Sequence, residues 1–299
     1  MQFLKVFIIK FANISIIFFL CFTLNSDILD KTSRVAVLDI KEINIDSIKE
    51  LSALAYKKNN LYALSNLGVL YRFFIKIDDD KIASLKLLES TKLKSKKQKP
   101  LKKKKRDSEG MVLVDGRLYI SFERKPRVDV FLPNGTKVKK YKIPKKLRDI
   151  KNYQSKNKAL ESIAYSKKYG ILVAPEIPLV DEDKNYHTIY AKDKTYKFSA
   201  HAKLTALEFM GKDELLALER SFSYIGFKRK IYLVKVYLNR CEPICKSELL
   251  AEFDSKSDLE IDNFEGLCQV DKNRFLMVSD DNGSFFQKTL LVLFEIVND

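Results

Sequence analysis

Histidine and cysteine are both scarce in this sequence, and their scarcity removes several chemistries at the outset. The two histidines, His187 and His201, stand in no H-E-x-x-H arrangement and fall outside the repeated segments described below, so both read as incidental. Four cysteines offer no second close pair and no neighbouring histidine, so a four-ligand cysteine metal site has nothing to complete it. The nucleophile elbow G-x-S-x-G, the phosphate loop G-x-x-x-x-G-K and the dinucleotide fingerprint G-x-G-x-x-G are all missing, which leaves serine-hydrolase and nucleotide-dependent mechanisms without support. The apolar residues follow no sustained 3.6-residue period, and this disfavours a predominantly helical fold.

Apolar runs long enough to matter for targeting are confined to the start. Lys5 and Lys10 precede an apolar stretch from Phe11 to Leu24, the layout of a signal peptide over residues 1–26. The stretch is shorter than the roughly 20 residues of a membrane-spanning helix, so an exported, periplasmic or secreted protein is expected. No small-x-small triplet precedes Asp27, and an uncleaved N-terminal anchor is the alternative. In an oxidising compartment Cys241 and Cys245 are expected to close a small loop as a disulfide, because Pro243 between them favours a turn. Cys268 lies in an apolar stretch and reads as core.

The formal charge of +16 suggests nucleic acid until it is located. Residues 92–106, KLKSKKQKPLKKKKR, hold ten basic residues and no acidic one, so 16 − 10 leaves only +6 for everything else. Such a run repels itself, and the plain expectation is a mobile, solvated surface loop inserted in the domain. The functional expectation is electrostatic attraction of an anionic small-molecule substrate or peripheral contact with an anionic membrane, with nucleic acid ranked last.

With 46% hydrophobic residues the chain can bury a substantial core, and one large domain over residues 33–299 accounts for it. Five segments share a layout of apolar strand, short polar turn and second apolar strand: residues 52–66, 109–123, 161–176, 205–219 and 265–280. A hairpin recurring every ~45 to 60 residues is the signature of propeller blades, none of which can bury its faces alone. Two further strand candidates follow most hairpins, such as residues 128–132 with 138–143 and 186–190 with 195–199. After the last hairpin only residues 289–297 remain, and residues 34–40 can supply the missing strand and close the ring. The expectation is therefore an all-β propeller of five four-stranded blades, a sixth with a degenerate hairpin staying open.

Equivalent positions of a propeller converge on its axis. Ser52, Glu109, Glu161, Thr205 and Glu265 start the hairpins, and Asn66, Glu123, Glu176, Glu219 and Asp280 end them. Antiparallel pairing puts each start beside its matching end. Carboxylates gathered in this way need either a hard oxygen-liganded ion such as calcium or raised proton affinity for acid–base work. The competing expectation is that strand-end acids simply bond neighbouring backbone amides and tie blades together.

Several of these segments together resemble the phytase-like family, named for an esterase-like activity of phytase. The resemblance is carried by Leu-Ser-Ala-Leu-Ala-Tyr with Leu-Tyr-Ala-Leu-Ser-Asn in residues 51–66, Asp107-Ser-Glu-Gly110, and Leu160-Glu-Ser-Ile-Ala-Tyr165. It continues through Leu215-Leu-Ala-Leu-Glu-Arg-Ser221, Asp262-Asn-Phe-Glu-Gly-Leu267 and Val278-Ser-Asp-Asp-Asn282 with Gln287-Lys-Thr289. It implies an exported β-propeller hydrolysing phosphate or other esters with calcium. In that reading Glu109, Glu161, Glu265 and Asp280 carry catalysis, and Glu109, Glu265, Asp280, Asp281 and Asn282 hold the metal. Arg124, Arg220 and Lys288 bind the anionic group. The rival expectation is a non-catalytic periplasmic propeller that binds a ligand or partner protein at the same funnel, and a third is a membrane-surface protein held by the lysine run. Ser52 and Thr205 depart from the glutamate of the other repeats, and the lysine run immediately precedes Asp107.

Overall fold

Apolar residues in the repeated hairpins run on without alternating, and the fold shows why. The computed structural model describes residues 34–223, 228–254, 263–284 and 287–297; residues 1–26, where a signal peptide is expected, lie outside them. Its strands are numbered in chain order. β1 (Val35–Glu42) comes first, and blade 1 follows as β2 (Leu51–Lys57), β3 (Asn60–Ser65), β4 (Val69–Asp78) and β5 (Lys81–Lys92). Blade 2 is β6 (Ser108–Val114), β7 (Arg117–Phe122), β8 (Arg127–Phe131) and β9 (Lys137–Tyr141). Blade 3 is β10 (Leu160–Ser166), β11 (Gly170–Pro175), β12 (Tyr186–Tyr190) and β13 (Thr195–Ser199). Blade 4 is β14 (Lys203–Gly211), β15 (Glu214–Ser223), β16 (Lys228–Cys241) and β17 (Cys245–Asp254). Blade 5 orders β18 (Asn263–Gln269), β19 (Arg274–Asp280), β20 (Leu290–Ile296) and then β1 as its outermost strand.

Five four-stranded sheets result, and the sixth blade falls away. The first strands of the repeats, β2, β6, β10, β14 and β18, touch one another in sequence, and β18 returns to β2. They are the inner strands of a closed ring.

Each blade is buried on both faces by its neighbours, so both sides of its central strands must be apolar. In β15, Leu215 and Ala217 pack towards blade 3 while Leu216 and Leu218 pack towards blade 5. In β19, Phe275 and Met277 face blade 4, and Leu276 and Val278 face blade 1. The core is accordingly five wedges, one at each blade junction. Each fully buried Leu or Phe in them contributes roughly 1.5–3 kcal/mol of transfer free energy.

Ring closure follows the sequence expectation: β1 pairs antiparallel with β20 from Val35 opposite Ile296 to Glu42 opposite Leu290. Cys241 and Cys245 are joined as a disulfide across the β16–β17 turn, and Cys268 is buried and free. Among the described residues no helix is long and apolar enough to cross a membrane.

The lysine run differs from the expected mobile insertion. Leu93 is fully buried, and its N–H donates to Gly68 O in blade 1. Lys94 exchanges backbone bonds with blade 2, its N–H donating to Gly135 O and its carbonyl accepting from Lys137 N. Leu101 N donates back to Leu93 O. Charge repulsion favours solvating the lysine side chains, but Leu93 and Leu101 supply the apolar anchors that fix the backbone beneath them.

Candidate functional site at the ring axis

One backbone irregularity recurs in every inner strand and positions the site. The register slips in β2 at Ser52, in β6 at Glu109-Gly110, in β10 at Glu161, in β14 at Thr205 and in β18 at Glu265. A bulge takes a residue out of the ladder and re-aims its side chain. Here it does so at the same height in all five blades, so residues far apart in the chain meet. The axial cavity they line, with Ser52, Glu109, Thr205 and Glu265 in its wall, holds only ≈10 Å³, about the size of a single water or ion.

The two hydroxyl positions that break the glutamate pattern do a different job. Ser52 Oγ donates to Ser108 O of blade 2 at 2.8 Å, and Thr205 Oγ1 lies 3.3 Å from Phe264 O of blade 5. These are neutral ties between neighbouring inner strands, where a further carboxylate would add repulsion.

The carboxylates are buried together. Glu109 is 9% exposed, Glu161 and Glu265 6%, and Asp280 3%. Burial, followed by Glu265, Glu123, Asp107 and Asp280, pushes Glu109 well above the usual carboxylate range. Burial and then Glu109, Glu176 and Glu265 do the same to Glu161. Burial raises Glu123 to about 7 although its carboxylate accepts from Ala159 N, and burial with Glu265 raises Asp280 to about 8. Glu265 is raised by burial against the opposing pull of Arg220, whose Nη2 lies 2.8 Å from Glu265 Oε1, and of Asn263. Burial works against the charge of Arg220 itself, but Glu265, Glu161, Glu176 and Asp280 outweigh it and hold the guanidinium charged.

The expected residues fall into three groups. Glu109, Glu161, Glu265, Asp280 and Arg220 share one electrostatic neighbourhood. Arg124 stands at its rim, half exposed, with Nε 2.7 Å from Asp107. Lys288 Nζ lies 3.7 Å from Glu42 on the outermost strand of blade 5. Asp281 Oδ1 accepts from Glu50 N and Gly283 N, a tie between the last and first blades. Asn282 N donates to Asp280 Oδ1, its side-chain amide to Gln287, and it lines a cleft of ≈380 Å³ with Arg220, Lys203 and Arg229.

Sequence reasoning missed two features. Among the described residues, the three carboxylates close enough to share an ion are Asp107, Glu109 and Glu123, whose oxygens all lie within 4.8 Å of one another. Only Glu109 belongs to the metal set expected from sequence. The signal was present: Asp107 and Glu109 flank the first residue of β6, and Glu123 directly follows β7, its partner strand, with Glu123 N donating to Asp107 O. The histidines are also not incidental. Glu219, fully buried, accepts from His201 N and Ala202 N at 2.7 Å, with His187 Nε2 at 3.7 Å and His201 Nδ1 at 3.9 Å. Burial opposes its ionisation, yet these partners hold it down to about 2. Glu219 is thus a structural anion, while burial and mutual repulsion push Glu109, Glu161 and Asp280 towards the protonated form.

The metal-free protein should therefore be most stable in mild acid. Glu123 and Asp280 rise from 4.5 and 3.8 to about 7 and about 8, so the native state binds more protons than the unfolded chain across that window. Their stabilisation is complete below the unfolded values and is lost as pH climbs through the folded ones. Glu219 acts oppositely, contributing above 4.5 and failing as pH drops towards 2. In chelator, the melting temperature is expected to fall by several degrees between pH 5.5 and 8.5, read by calorimetry. A flat profile would contradict the buried cluster.

The molecule is a five-bladed propeller with buried carboxylates gathered at its axis. The chain belongs to the phytase-like family, described as esterase-like activity of phytase, whose model matches residues 46–283. No curated protein sequence matches it. Among solved structures it is similar to the PQQ-bound aldose sugar dehydrogenase of Streptomyces coelicolor, at 9% identity and TM-score 0.46, over 86% of this chain and 98% of that one. An oxidoreductase described as a glucose dehydrogenase from Thermus thermophilus matches at 10% identity and TM-score 0.44, over 85% and 99%.

Proposed function

We propose that the protein is an exported, metal-assisted hydrolase of a phosphoester or related ester. The observation that carries the reading is the convergence of three carboxylates, Asp107, Glu109 and Glu123, whose oxygens lie within 4.8 Å of one another, with Glu109 and Glu123 pushed towards the protonated form by burial. Three hard oxygen donors, with Glu109 accepting no hydrogen bond from another described residue, suit calcium better than a softer ion. Bound there, calcium would supply Lewis-acid activation of water or of the ester oxygen. Glu161 and Asp280, with raised proton affinity, are suited to take a proton from water and return it to the leaving group. Arg220 lines the ≈380 Å³ cleft and also pairs with Glu265, so it can steady an anionic group at the mouth of the acidic cluster.

The purified protein is expected to hydrolyse a chromogenic phosphomonoester or carboxylester in calcium and to lose that turnover in chelator. Glu109→Gln should lower the rate by about two orders of magnitude or more. Absence of chelator-sensitive turnover across both substrate classes would defeat the enzyme reading.

A second reading, a non-catalytic propeller whose axis holds a structural ion, draws on the ≈10 Å³ axial cavity, which admits an ion but no ester. Calcium that raises the melting temperature without any turnover would favour it.

A further inference from the structure

A second concave site lies on the flank of blade 2. Its volume is ≈1110 Å³, and ten of its nineteen lining residues are cationic against two acidic ones. Six of the cations, Lys99, Lys102, Lys105, Lys125, Lys140 and Lys142, have no acidic partner among the described residues. The two acids are already engaged. Asp149 accepts from Lys151 N, and buried Asp129 is shared by Arg127 at 2.8 Å and Lys137 at 2.6 Å.

The lysines are held in place. Arg127 stacks over Phe122 with its guanidinium carbon 3.8 Å from the ring centroid, and its Nη2 donates to the carbonyl of Lys105. This pins the turn at 103–105 to blade 2, while Lys94 and Leu101 pin the run before it. Burial draws Lys137 below the ordinary lysine range in spite of Asp129, and Arg127 and Lys140 add a smaller push in the same direction.

Two features decide the kind of partner. Lys96, Lys97, Lys103 and Lys104 belong to the same run, are exposed and lie outside the cleft, so the basic surface exceeds what a small ligand can cover. The charge of the run is nine lysines to one arginine, point charges suited to a diffuse anionic surface rather than to bidentate reading of bases. The cleft wall offers a single aromatic ring, Tyr141, where single-stranded nucleic acid binding uses stacking platforms.

We propose that this flank docks on an anionic lipid surface, the cleft receiving headgroup phosphates and the lysine run lying along the bilayer. The cleft shares Arg124 with the rim of the axial site, where it pairs with Asp107, but docking draws on the lysines and not on the axial carboxylates. Co-sedimentation of the full chain with phosphatidylcholine vesicles, plain or doped with phosphatidylglycerol, tests this. Plain vesicles report any contribution of the apolar N-terminal segment. Doped vesicles are expected to bind the protein more tightly, with affinity falling as salt is raised. Lys102→Glu with Lys140→Glu should weaken the anionic-dependent part on the order of tenfold. The control Lys57→Glu with Lys167→Glu carries the same charge change on exposed hairpin tips and should cost less than about twofold. If the first pair fails to fold, Lys102→Gln with Lys140→Gln carries the comparison. Equal weakening by test and control pairs overturns the proposal. So does tight binding of soluble tripolyphosphate, or of single-stranded RNA, without binding to doped vesicles. Persistence of vesicle binding in Glu109→Gln is the expected sign that the two sites are independent.

Discussion

Replacing Arg220 by alanine is expected to cost about 3–5 kcal/mol of stability at pH 8, the toll of leaving buried carboxylates without their cation. Arg220 is the positive group in contact with Glu265 at 2.8 Å, and it also acts on Glu161, Glu176 and Asp280. Without it Glu265, Glu161 and Asp280 gain still more affinity for protons. At pH 5 they can take them up, so the cost should shrink there to that of lost packing. Denaturant unfolding of wild type and variant at the two pH values reads the difference directly. An equal cost at both would mean that Arg220 serves as a packing group, and the electrostatic account of the axis would be wrong.

Gly110→Ala is expected to be comparably damaging for a steric reason. A Cβ at residue 110 would stand 2.6 Å from the carbonyl oxygen of Glu161 and 2.7 Å from Ser121 Oγ. The Glu161 oxygen is backbone of the next inner strand and already accepts from Ser121 Oγ at 2.7 Å, so it has nowhere to move. Overpacking typically costs about 1–3 kcal/mol, and a backbone obstacle that cannot yield puts this site at the upper end of that range. Gly116, in the β6–β7 turn at φ +73°, provides the contrast, since an added Cβ there meets nothing within 4 Å. Its alanine variant should lose only the roughly 1–2 kcal/mol of a left-handed backbone. Thermal melts of the two variants should separate clearly, and similar melting temperatures would show that the inner strands can part more easily than the geometry implies. The acids at 109 and 161 reach the axis because glycine lets their strands approach.

The architecture was legible because its determinants repeat. Fifteen- and sixteen-residue hairpins with unbroken apolar strands announce blades buried on both faces, and the surplus strand at residues 34–40 matched the deficit after residue 280. The convergence of Glu109, Glu161, Glu265 and Asp280 followed from that periodicity alone. What did not follow depends on single backbone events. No sequence pattern marks a bulge, so the hydroxyls of Ser52 and Thr205 read as departures from a carboxylate ring when they are its inter-blade ties. His187 and His201 are fourteen positions apart, and only the β12–β13 hairpin brings both to Glu219. The lysine run misled through its composition: ten charges concealed two leucines that decide where the backbone goes.

The clasp between β1 and β20 has a consequence for how the molecule is assembled. Among the described strands, the first in chain order finds its ladder partner in the last, and Val297 N donates to Arg34 O beside that pairing. Blades 1 to 4 can each zip from local hairpins. The fifth is a circularisation step that must gather the whole intervening chain and bear its loop-closure entropy in one event. Until it occurs, the apolar face of β1 and the flank of blade 4 stay uncovered, and the growing ring carries two open edges available to a second copy of itself.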